Sequence, residues 1–293
     1  MQTPVIKKTK GANLDSQGNY QDQVPPSVDV VIPTFNETLK LVRAIDSVKS
    51  QTIKVGRIFV VDDGSKVEVK DFLLQTYKSD NLVELVLKEH SGLPGVSRKL
   101  GIELSSADWI AFLDADDYWT NNKLQAQFDL VQKNKSSFIF SNAIMFDGDN
   151  QSPYFEDSLF PTSIGLRSLL RSNSVINSSV LVRRQLLEYI GRYPDSAEVR
   201  GVEDYATWLR ISTLTKMEGL AEPLVFYEVS PGSLSRVEKK VTRINAQADF
   251  TDWLGGRLLR NPLLVTMFLT LIFYKAEDFL NRKIDESRQK KSK

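Results

Sequence analysis

The chain has 293 residues, 41% of them hydrophobic and 26% charged, with a formal net charge of +1 at pH 7, which fits a soluble globular protein of one large domain or two smaller ones. A net charge this close to zero gives no overall positive field, so we expect no nucleic-acid partner. Because the chain has no cysteine and a single histidine, His90, disulfides, thiolate zinc sites and cysteine nucleophiles are excluded, and a metal would need mainly oxygen ligands, which suits Mg²⁺ or Mn²⁺.

Apolar, strand-like runs alternate with segments of helical period through the first half of the chain. Residues 1–26 precede them; they are polar, lack the apolar core of a signal peptide and end in a proline pair, so we interpret them as a mobile lead-in. The predicted strands span 28–32, 57–61, 82–87 and 108–113, and the predicted helices lie within 33–51, 67–78, 96–105 and 121–131. Asn36 is expected to cap the first helix, with Thr34 and Glu37 at capping-box spacing.

The strands in this half are continuously apolar rather than alternating. This pattern predicts an α/β fold with a mostly parallel sheet and helices on both faces. Ligands bind such sheets at the carboxyl ends of the strands. The acidic stretches "DDGS" (62–65) and "DADD" (114–117) both follow a predicted strand at that end. Two acidic clusters from different strands are therefore expected to meet in one crevice.

The second half of the chain has a less regular pattern. Strands are predicted at 136–146, 179–184 and 220–229, and a helix at 203–214. A loop rich in Asp, Ser and Pro follows the first of these strands and extends to about residue 163. Such loops shape a binding pocket, but their sequence has no readable code for the ligand.

The C-terminal stretch is a distinct, basic extension. Residues 262–274 are nearly all apolar, but at about 1.5 Å per residue a helix there would span about 20 Å, less than the roughly 30 Å hydrocarbon core of a membrane. Residues 257–293 contain nine Lys or Arg and four Asp or Glu. One interpretation is an interfacial helix that holds a cytoplasmic protein at the inner face of the cell membrane. The other is a helix packed on the domain or on a second copy in a homo-oligomer.

The first two acidic motifs each have a chemical and a structural interpretation. Asp62 and Asp63 could accept hydrogen bonds from a ribose or a base N–H while Gly64 lets a ligand approach the backbone, but a solvated turn would use the same residues. Asp114 and Asp116 are spaced so that both carboxylates can face a cation that bridges to a pyrophosphate; the alternative is an acidic turn. Taken singly, neither motif decides between its two interpretations.

A third acidic pair precedes the helix predicted at 203–214. One carboxylate of Glu203 and Asp204 could deprotonate an attacking hydroxyl, although the helix dipole alone also favours acidic residues in this position. We interpret His90, as a lone histidine, as a loop residue rather than a catalyst.

In their order and spacing, "VVIPTFNE", "VVDDGS", "WIAFLDADDYW" and "EDYATWLRI" resemble the motifs of the family 2 glycosyltransferases of the GT-A fold. The resemblance covers residues 28–235. It implies a GT-A domain at 27–235, with its Rossmann-like sheet. The helical extension at 236–293 follows this domain and lies outside the resemblance. It also implies inverting transfer of a sugar from a nucleotide diphosphate donor, expected to be a UDP-sugar, to a hydroxyl of a glycan or lipid-linked acceptor. The implied role is surface polysaccharide or glycoconjugate biosynthesis, and the implied cofactor is Mn²⁺ or Mg²⁺.

The resemblance also implies a role for each matching residue. The residues implied to contact the nucleotide sugar are Pro33, Thr34, Asn36, Asp62, Asp63, Arg98, Asp114 and Arg236. Among these, Asp63 would contact uracil. Asp116 would bind the metal with Asp114 beside it. Asp204 would be the catalytic base, supported by Glu203.

Two positions extend or depart from this pattern. In "SRKLGI", Lys99 replaces the usual Asn while Arg98 and Gly101 keep their places, so a cation that faced the site would alter the donor contacts. "PGSLSR" (231–236) resembles a loop that closes over the diphosphate, where Arg236 would pair with phosphate.

Two rival functions predict other residues. A sugar nucleotidyltransferase would have a Gly-rich, Arg-containing loop after the first strand, whereas this chain has "PTFNE" there. A glycosyltransferase-like protein that only binds or scaffolds would be favoured by the loss of an acid, yet Asp63, Asp116 and Asp204 are all present.

Overall fold

A computed structural model describes residues 26–229 and 239–258, whose strands and helices form one α/β unit. The strands are β1 Val28–Thr34, β2 Ile58–Asp62, β3 Val83–Leu87, β4 Trp109–Phe112, β5 Tyr118–Trp119, β6 Phe138–Asp147, β7 Asn150–Pro153, β8 Ser163–Ile164, β9 Leu181–Arg183 and β10 Met217–Glu228. The helices are α1 Leu39–Lys49, α2 Val67–Tyr77, α3 Pro94–Leu104, α4 Lys123–Asn134, α5 Leu166–Leu169, α6 Arg184–Ile190, α7 Glu203–Ile211 and α8 Lys239–Leu258. The predicted α/β fold class is confirmed.

The first half of the sheet is parallel, as predicted. Its strand order is β3-β2-β1-β4, and all neighbours in this part run in the same direction. Along β1, Val31 packs into one core while Val30 and Ile32 pack into the other, so both faces of the strand are buried. This two-sided burial is the physical reason why the strand sequences are continuously apolar.

The second half of the sheet is mixed. It continues β9-β6-β10-β5, in which β6 and β10 are parallel while β9 and β5 run antiparallel to their neighbours. The short strands β7 and β8 pair antiparallel with β6 and β10. The sequence patterns did not predict β5, β7, β8, α5 or α6, since two to seven residues are too few to establish a period.

The helices cover the two faces of the sheet. Helices α1, α2 and α4 pack on one face, and α3 and α5 to α8 pack on the other. The α8 segment lies on α7: Ala246, Phe250 and Leu254 are buried, and Nη2 of Arg210 on α7 donates to both carboxylate oxygens of Asp249. The predicted extension at 236–293 therefore begins with a helix that packs on the domain.

Several predicted features lie outside the described residues. They are the lead-in at 1–25, the loop 231–236 with Arg236, and the apolar run 262–274. Within residues 26–229 and 239–258, no helix combines the length and the apolar character that crossing a membrane requires.

Candidate functional site

The strand register brings the predicted site residues to one edge of the sheet. Thr34 at the end of β1 is paired with Asp62 at the end of β2, and Val31 of β1 is paired with Phe112 near the end of β4. Asp114 follows β4 by two residues. The "DDGS" and "DADD" stretches therefore follow strands that end at the same side of the parallel sheet, as predicted.

Asp62 holds the turn that follows β2. Its side chain is fully buried, one carboxylate oxygen accepts a hydrogen bond from the Ser65 amide at 3.1 Å, and the other accepts one from the Ser65 hydroxyl. That hydroxyl in turn accepts a hydrogen bond from the Asn36 amide at 2.7 Å. A second hydrogen bond links the same two loops, because the Lys66 backbone amide donates to Asn36 Oδ1 at 2.9 Å. Asp62 therefore stabilises the turn that connects the loops after β1 and β2.

The predicted cap of the first helix is wrong. Helix α1 has Thr38 as its N-cap, without a side-chain capping bond, and Glu37 accepts the amide hydrogen of Thr38 at 2.9 Å. Asn36 instead has a φ of 53°, a left-handed conformation that Asn adopts more readily than most residues. Its side chain is committed to the β2 loop. The Thr34 hydroxyl is buried and has no hydrogen-bond partner among the described residues.

Asp63 organises the loop after β3. Its carboxylate pairs with Lys88 and accepts hydrogen bonds from the amides of Ser91 (3.0 Å) and Gly92 (2.8 Å). Burial raises the pKa of Asp63, but these hydrogen bonds outweigh burial and the net pKa is lowered. Gly64 has a φ of 74°, and a Cβ there would lie 2.6 Å from the His90 amide nitrogen. Gly64 is therefore required by the approach of the 88–92 loop.

An exposed aromatic pair lies beside this loop and was not predicted. The rings of Phe35 and His90 stack at a centroid distance of 4.4 Å and an angle of 25°. His90 Nδ1 is 2.8 Å from the Asp63 carbonyl oxygen. Both rings are about half exposed, at 48% for Phe35 and 52% for the His90 side chain. Their position just after β1 and β3 places a flat aromatic surface at this edge of the sheet. His90 is a loop residue, as predicted.

Arg98 connects the acids of two motifs. Its guanidinium donates to Glu203 Oε1 at 2.6 Å and to Asp114 Oδ1 at 2.7 Å, and it lies 5.6 Å from the centre of the Tyr193 ring. Burial alone would lower the pKa of Arg98, but the two carboxylates raise it well above its ordinary value. Helix α3, the end of β4 and the start of α7 are therefore joined at one buried cation.

The three acids of "DADD" have different environments. Asp114 is committed to Arg98. Asp117 is buried and accepts hydrogen bonds from the Ser178 hydroxyl and, at 2.9 Å, from the Glu228 amide. Asp116 is the acid of this stretch whose carboxylate has no side-chain partner among the described residues.

Burial and the closeness of the carboxyl groups in this stretch raise the pKa values of Asp116 and Asp117. Burial raises the pKa of Asp116 to about 6, and the neighbouring Asp114 carboxylate adds to the increase. Burial and the neighbouring Asp116 and Asp114 carboxylates raise the pKa of Asp117 well above its ordinary value. A bound cation would relieve this repulsion, which is the electrostatic basis for a cation site at Asp116.

A basic pair on α1 lies next to Asp116. Lys40 and Arg43 both form ion pairs with Glu228, and Arg43 also donates to the Asp116 carbonyl oxygen at 2.7 Å. The Arg43 guanidinium lies 4.6 Å from the centre of the Tyr118 ring. The end of β10, the acidic loop and α1 are thus connected at this side of the crevice.

The turn at residues 177–179 stabilises the acidic loop through hydrogen bonds and was not predicted from the sequence. Asn177 donates to Asp114 Oδ1 at 2.9 Å and accepts a hydrogen bond from the Tyr193 hydroxyl at 2.7 Å. The Ser178 hydroxyl accepts from the Asp114 amide at 3.1 Å and donates to Asp117. This turn fixes Asp114 and Asp117 on either side of Asp116. "NSS" is too common a sequence to have indicated this role.

Replacing Ser178 should weaken the acidic loop without disturbing the turn itself. Ser178→Ala leaves the buried Asp117 carboxyl and the Asp114 amide without this hydroxyl, a loss of about 1–3 kcal/mol. We expect the free energy of unfolding, measured by denaturant titration, to fall by this amount. The control is Ser179→Ala, which removes a buried hydroxyl that donates to the Ile176 carbonyl. An equal fall in both variants would contradict the proposed support of the loop by Ser178.

Asp204 is a partly buried acid at the start of α7, next to the buried Glu203. Burial raises the pKa of Asp204 to about 7; the Glu203 carboxylate adds to the increase and Arg98 opposes it. One Asp204 oxygen accepts the backbone amide hydrogen of the next residue, Tyr205, at 2.6 Å. An acid with a pKa near 7 suits proton transfer at neutral pH.

Lys99 does not replace Asn in a contact within the crevice. Its ammonium forms an ion pair with Asp195 Oδ2, and the two side chains are 33% and 48% exposed. The substitution therefore forms a surface ion pair between α3 and the 195–202 segment.

The donor set fits a hard divalent ion that takes part of its coordination from a substrate. Within the described ranges, no three His, Asp or Glu side chains are grouped as a preformed metal site. Mg²⁺ binds through one or two carboxylates together with substrate phosphates and water. Asp116, with its raised pKa and its free carboxylate, is the residue that would provide the principal ligand, with Asp114 beside it.

Comparison with known proteins adds family and fold relationships. A protein-family model described as "Glycosyl transferase family 2" matches residues 29–191. An uncharacterized glycosyltransferase of Rickettsia bellii is 29% identical over 205 residues, which are 67% of this chain and 28% of that protein, so the chain spans less than a third of this relative. Escherichia coli WfgD, a UDP-Glc:alpha-D-GlcNAc-diphosphoundecaprenol beta-1,3-glucosyltransferase, is 27% identical over 244 residues, 83% of this chain and 90% of that one.

A solved structure has the same architecture. The crystal structure of S. aureus TarS 1–349 in complex with UDP-GlcNAc aligns with a TM-score of 0.59 at 17% sequence identity. The alignment covers 72% of this chain and 61% of that chain. At this identity the likeness establishes the shared GT-A fold, as the sequence motifs predicted.

Proposed function

Because the chain belongs to glycosyl transferase family 2, we propose that it transfers a sugar from a UDP-sugar to a hydroxyl of a glycan or lipid-linked acceptor, with inversion, in surface polysaccharide or glycoconjugate biosynthesis. The observation that carries this proposal is the convergence of Asp204, Arg98 and Asp114 at the edge of the sheet, with Asp116 beside them. The UDP-GlcNAc complex of TarS and the name of WfgD support a UDP-sugar donor.

In this proposal Asp204 acts as the base. Its carboxylate takes the proton of the acceptor hydroxyl while that oxygen attacks the anomeric carbon and the bond to the nucleoside diphosphate breaks. One direct displacement inverts the anomeric centre, so no covalent intermediate with the enzyme forms. Glu203 remains paired with Arg98 and keeps α7 in position.

The nucleotide would lie at the β1, β2 and β3 side of the crevice. The Phe35–His90 pair offers a flat surface to a base. Thr34, whose hydroxyl is buried, ends β1 directly before Phe35. Pro33 belongs to the same strand end. Because both oxygens of Asp63 already accept hydrogen bonds from the 88–92 loop, a contact between Asp63 and uracil would be shared with Lys88 and Gly92.

The diphosphate would lie at the β4 side. Mn²⁺ or Mg²⁺ held by Asp116, with Asp114 nearby, would neutralise charge on the leaving nucleoside diphosphate. Lys40 and Arg43 flank the same acid and would add positive charge there. We also propose that the basic segment 257–293 brings the protein to a membrane that contains its lipid-linked acceptor.

Calorimetric titration with UDP tests the proposal most directly. Wild-type protein should bind UDP with Mn²⁺ present, and Asp116→Ala should lose this metal-dependent binding because its principal metal ligand is gone. Asp157→Ala, which removes an acid outside the site, provides the control. Metal-independent UDP binding in both proteins would refute the metal part alone. Failure of the wild type to bind UDP, GDP or dTDP would refute the nucleotide-sugar function.

A further inference from the structure

Tyr154 is an exposed aromatic side chain on a rigid loop. It directly follows β7, its amide donates to the Ala143 carbonyl at 2.8 Å, and the residue is 37% exposed. The next residue, Phe155, is clamped by Asn142, which donates to the Phe155 carbonyl at 2.9 Å and accepts the Phe155 amide hydrogen at 3.2 Å. The loop therefore holds the Tyr154 ring in place before any ligand arrives, which lowers the entropic cost of binding.

The ring belongs to an aromatic series that extends from the crevice into the core. Tyr154 packs edge-to-face on Tyr227 at 6.1 Å and on Phe155 at 5.0 Å between ring centres. Phe155 then contacts Phe160 at 5.9 Å, and Phe160 contacts the buried Phe140 at 5.5 Å. These contacts support the inner side of the loop, while the exposed part of the Tyr154 ring is left to solvent.

Tyr154 is connected to the acidic loop of the site through the end of β10. Its ring packs on Tyr227, which directly precedes Glu228, whose amide donates to Asp117 of the acidic loop. The next residue, Phe155, packs against the core cluster that contains Tyr205, the residue after Asp204. Burial raises the pKa of Tyr154 and the Asp204 carboxylate adds to the increase, in agreement with this placement. The ring is carried by the β6–β7 hairpin, which belongs to the half of the sheet remote from the β1, β2 and β3 loops.

We propose that Tyr154 is the platform for the acceptor sugar: a pyranose packs the C–H face of its ring on the exposed part of the Tyr154 ring and directs a hydroxyl to Asp204. The flat ring provides a large apolar surface at low entropic cost, and its hydroxyl can exchange hydrogen bonds with the sugar. A charged side chain in this place would bind a phosphate; an aromatic ring selects a neutral sugar face. This inference rests on the proposed function, because it takes Asp204 as the base.

Binding of a soluble acceptor analogue to the UDP-loaded full chain tests the platform. The probes are the allyl glycosides of N-acetylglucosamine, glucose and galactose, measured by saturation-transfer NMR with UDP and Mn²⁺ present. We expect at least one glycoside to bind the wild type and to bind Tyr154→Ala about tenfold more weakly. Tyr154→Phe, which keeps the ring, should stay within about threefold of the wild type, and so should Tyr189→Ala, which removes a 55% exposed tyrosine on α6.

Four other results would show whether the Tyr154 platform or the proposed function itself is wrong. Equal glycoside binding by Tyr154→Ala and the wild type overturns the platform, as does the absence of glycoside binding to UDP-loaded wild type. Loss of UDP binding in Tyr154→Ala also overturns it, because the ring would then serve the donor. Failure of the wild type to bind UDP refutes the proposed function first. If Tyr154→Ala does not fold, Tyr154→Leu keeps an apolar side chain while removing the flat ring, and the same outcomes apply.

Discussion

Asp204→Asn should lower the rate of sugar transfer by about 10²–10⁴-fold, because it removes the group that accepts the proton from the attacking hydroxyl. The substitution keeps the size of the side chain and the oxygen that accepts the Tyr205 amide hydrogen. UDP binding should therefore stay within about twofold of the wild type, since Asp204 lies at the start of α7 and the proposed nucleotide site lies at the β1, β2 and β3 side of the crevice. The measurement pairs the transfer rate from a UDP-sugar with a UDP titration of the same protein.

The pH dependence of the wild type provides an independent readout of the same residue. Burial and Glu203 raise the pKa of Asp204 to about 7, so the acid takes up a proton as the pH falls through about 7 and the base form is lost. The transfer rate should therefore drop about tenfold for each pH unit below that point. Arg98 and Asp114 also face this region: the Arg98 charge lowers the pKa of Asp204 and the Asp114 charge raises it.

Asp195→Asn is the control for Asp204→Asn. It removes an acid from the same part of the chain, but one that is 48% exposed and paired with Lys99 at the surface. Its transfer rate should match that of the wild type. If Asp204→Asn keeps full activity, or if its acid limb stays near pH 7, another group accepts the proton.

The parallel half of the fold follows from local sequence because burial on two faces leaves a clear signature. All five residues of β2 are buried, and the first four of them, Ile58 to Val61, are apolar. The position of the acids follows in turn, since the carboxyl ends of parallel strands meet at one edge of the sheet. The ends of β1, β2 and β4 could therefore be placed together from the sequence.

The partners of those acids could not be predicted, because they come from distant parts of the chain. Arg98 and Glu203 are 105 positions apart, and Asn177 is 63 positions from Asp114. No local pattern records such contacts. The capping prediction for α1 failed for a related reason: Asn36 has the residue type of a cap, but the β2 loop competes for its side chain through the Lys66 amide.

The short strands could not be predicted from the sequence either. β7 consists of four exposed polar and proline residues, yet it positions Tyr154 beside the crevice by pairing with β6. Its conformation is set by the edge of β6 rather than by its own propensity, so tertiary context overrides the sequence. The sequence identified the loop that follows β6 as important for specificity but could not indicate which residue would face a ligand.

Arg98→Met should be the most destabilising single substitution in the site, at about 3–5 kcal/mol of unfolding free energy at pH 7. Methionine fills much of the same volume, so the loss is mainly electrostatic. Glu203, whose side chain is 6% exposed, loses its charged partner, and its second carboxylate oxygen already has no hydrogen-bond partner among the described residues. Asp114 loses its strongest contact in the same step. Denaturant unfolding at several pH values measures the effect.

The dependence of this loss on pH identifies its cause. Without Arg98, the Glu203 and Asp114 carboxylates lose the cation that paired them, and an unpaired charge at a buried position is costly. The destabilisation is therefore largest where both groups are charged, and it shrinks as a falling pH neutralises them. The control, Arg192→Met, breaks a pair with Glu103 whose side chains are 36% and 38% exposed, and it should cost about 0–1 kcal/mol. A loss in Arg98→Met that stays constant between pH 5 and pH 8 would mean that packing around Tyr193, rather than the two carboxylates, makes Arg98 necessary, and α3 and α7 would then be joined by shape instead of charge.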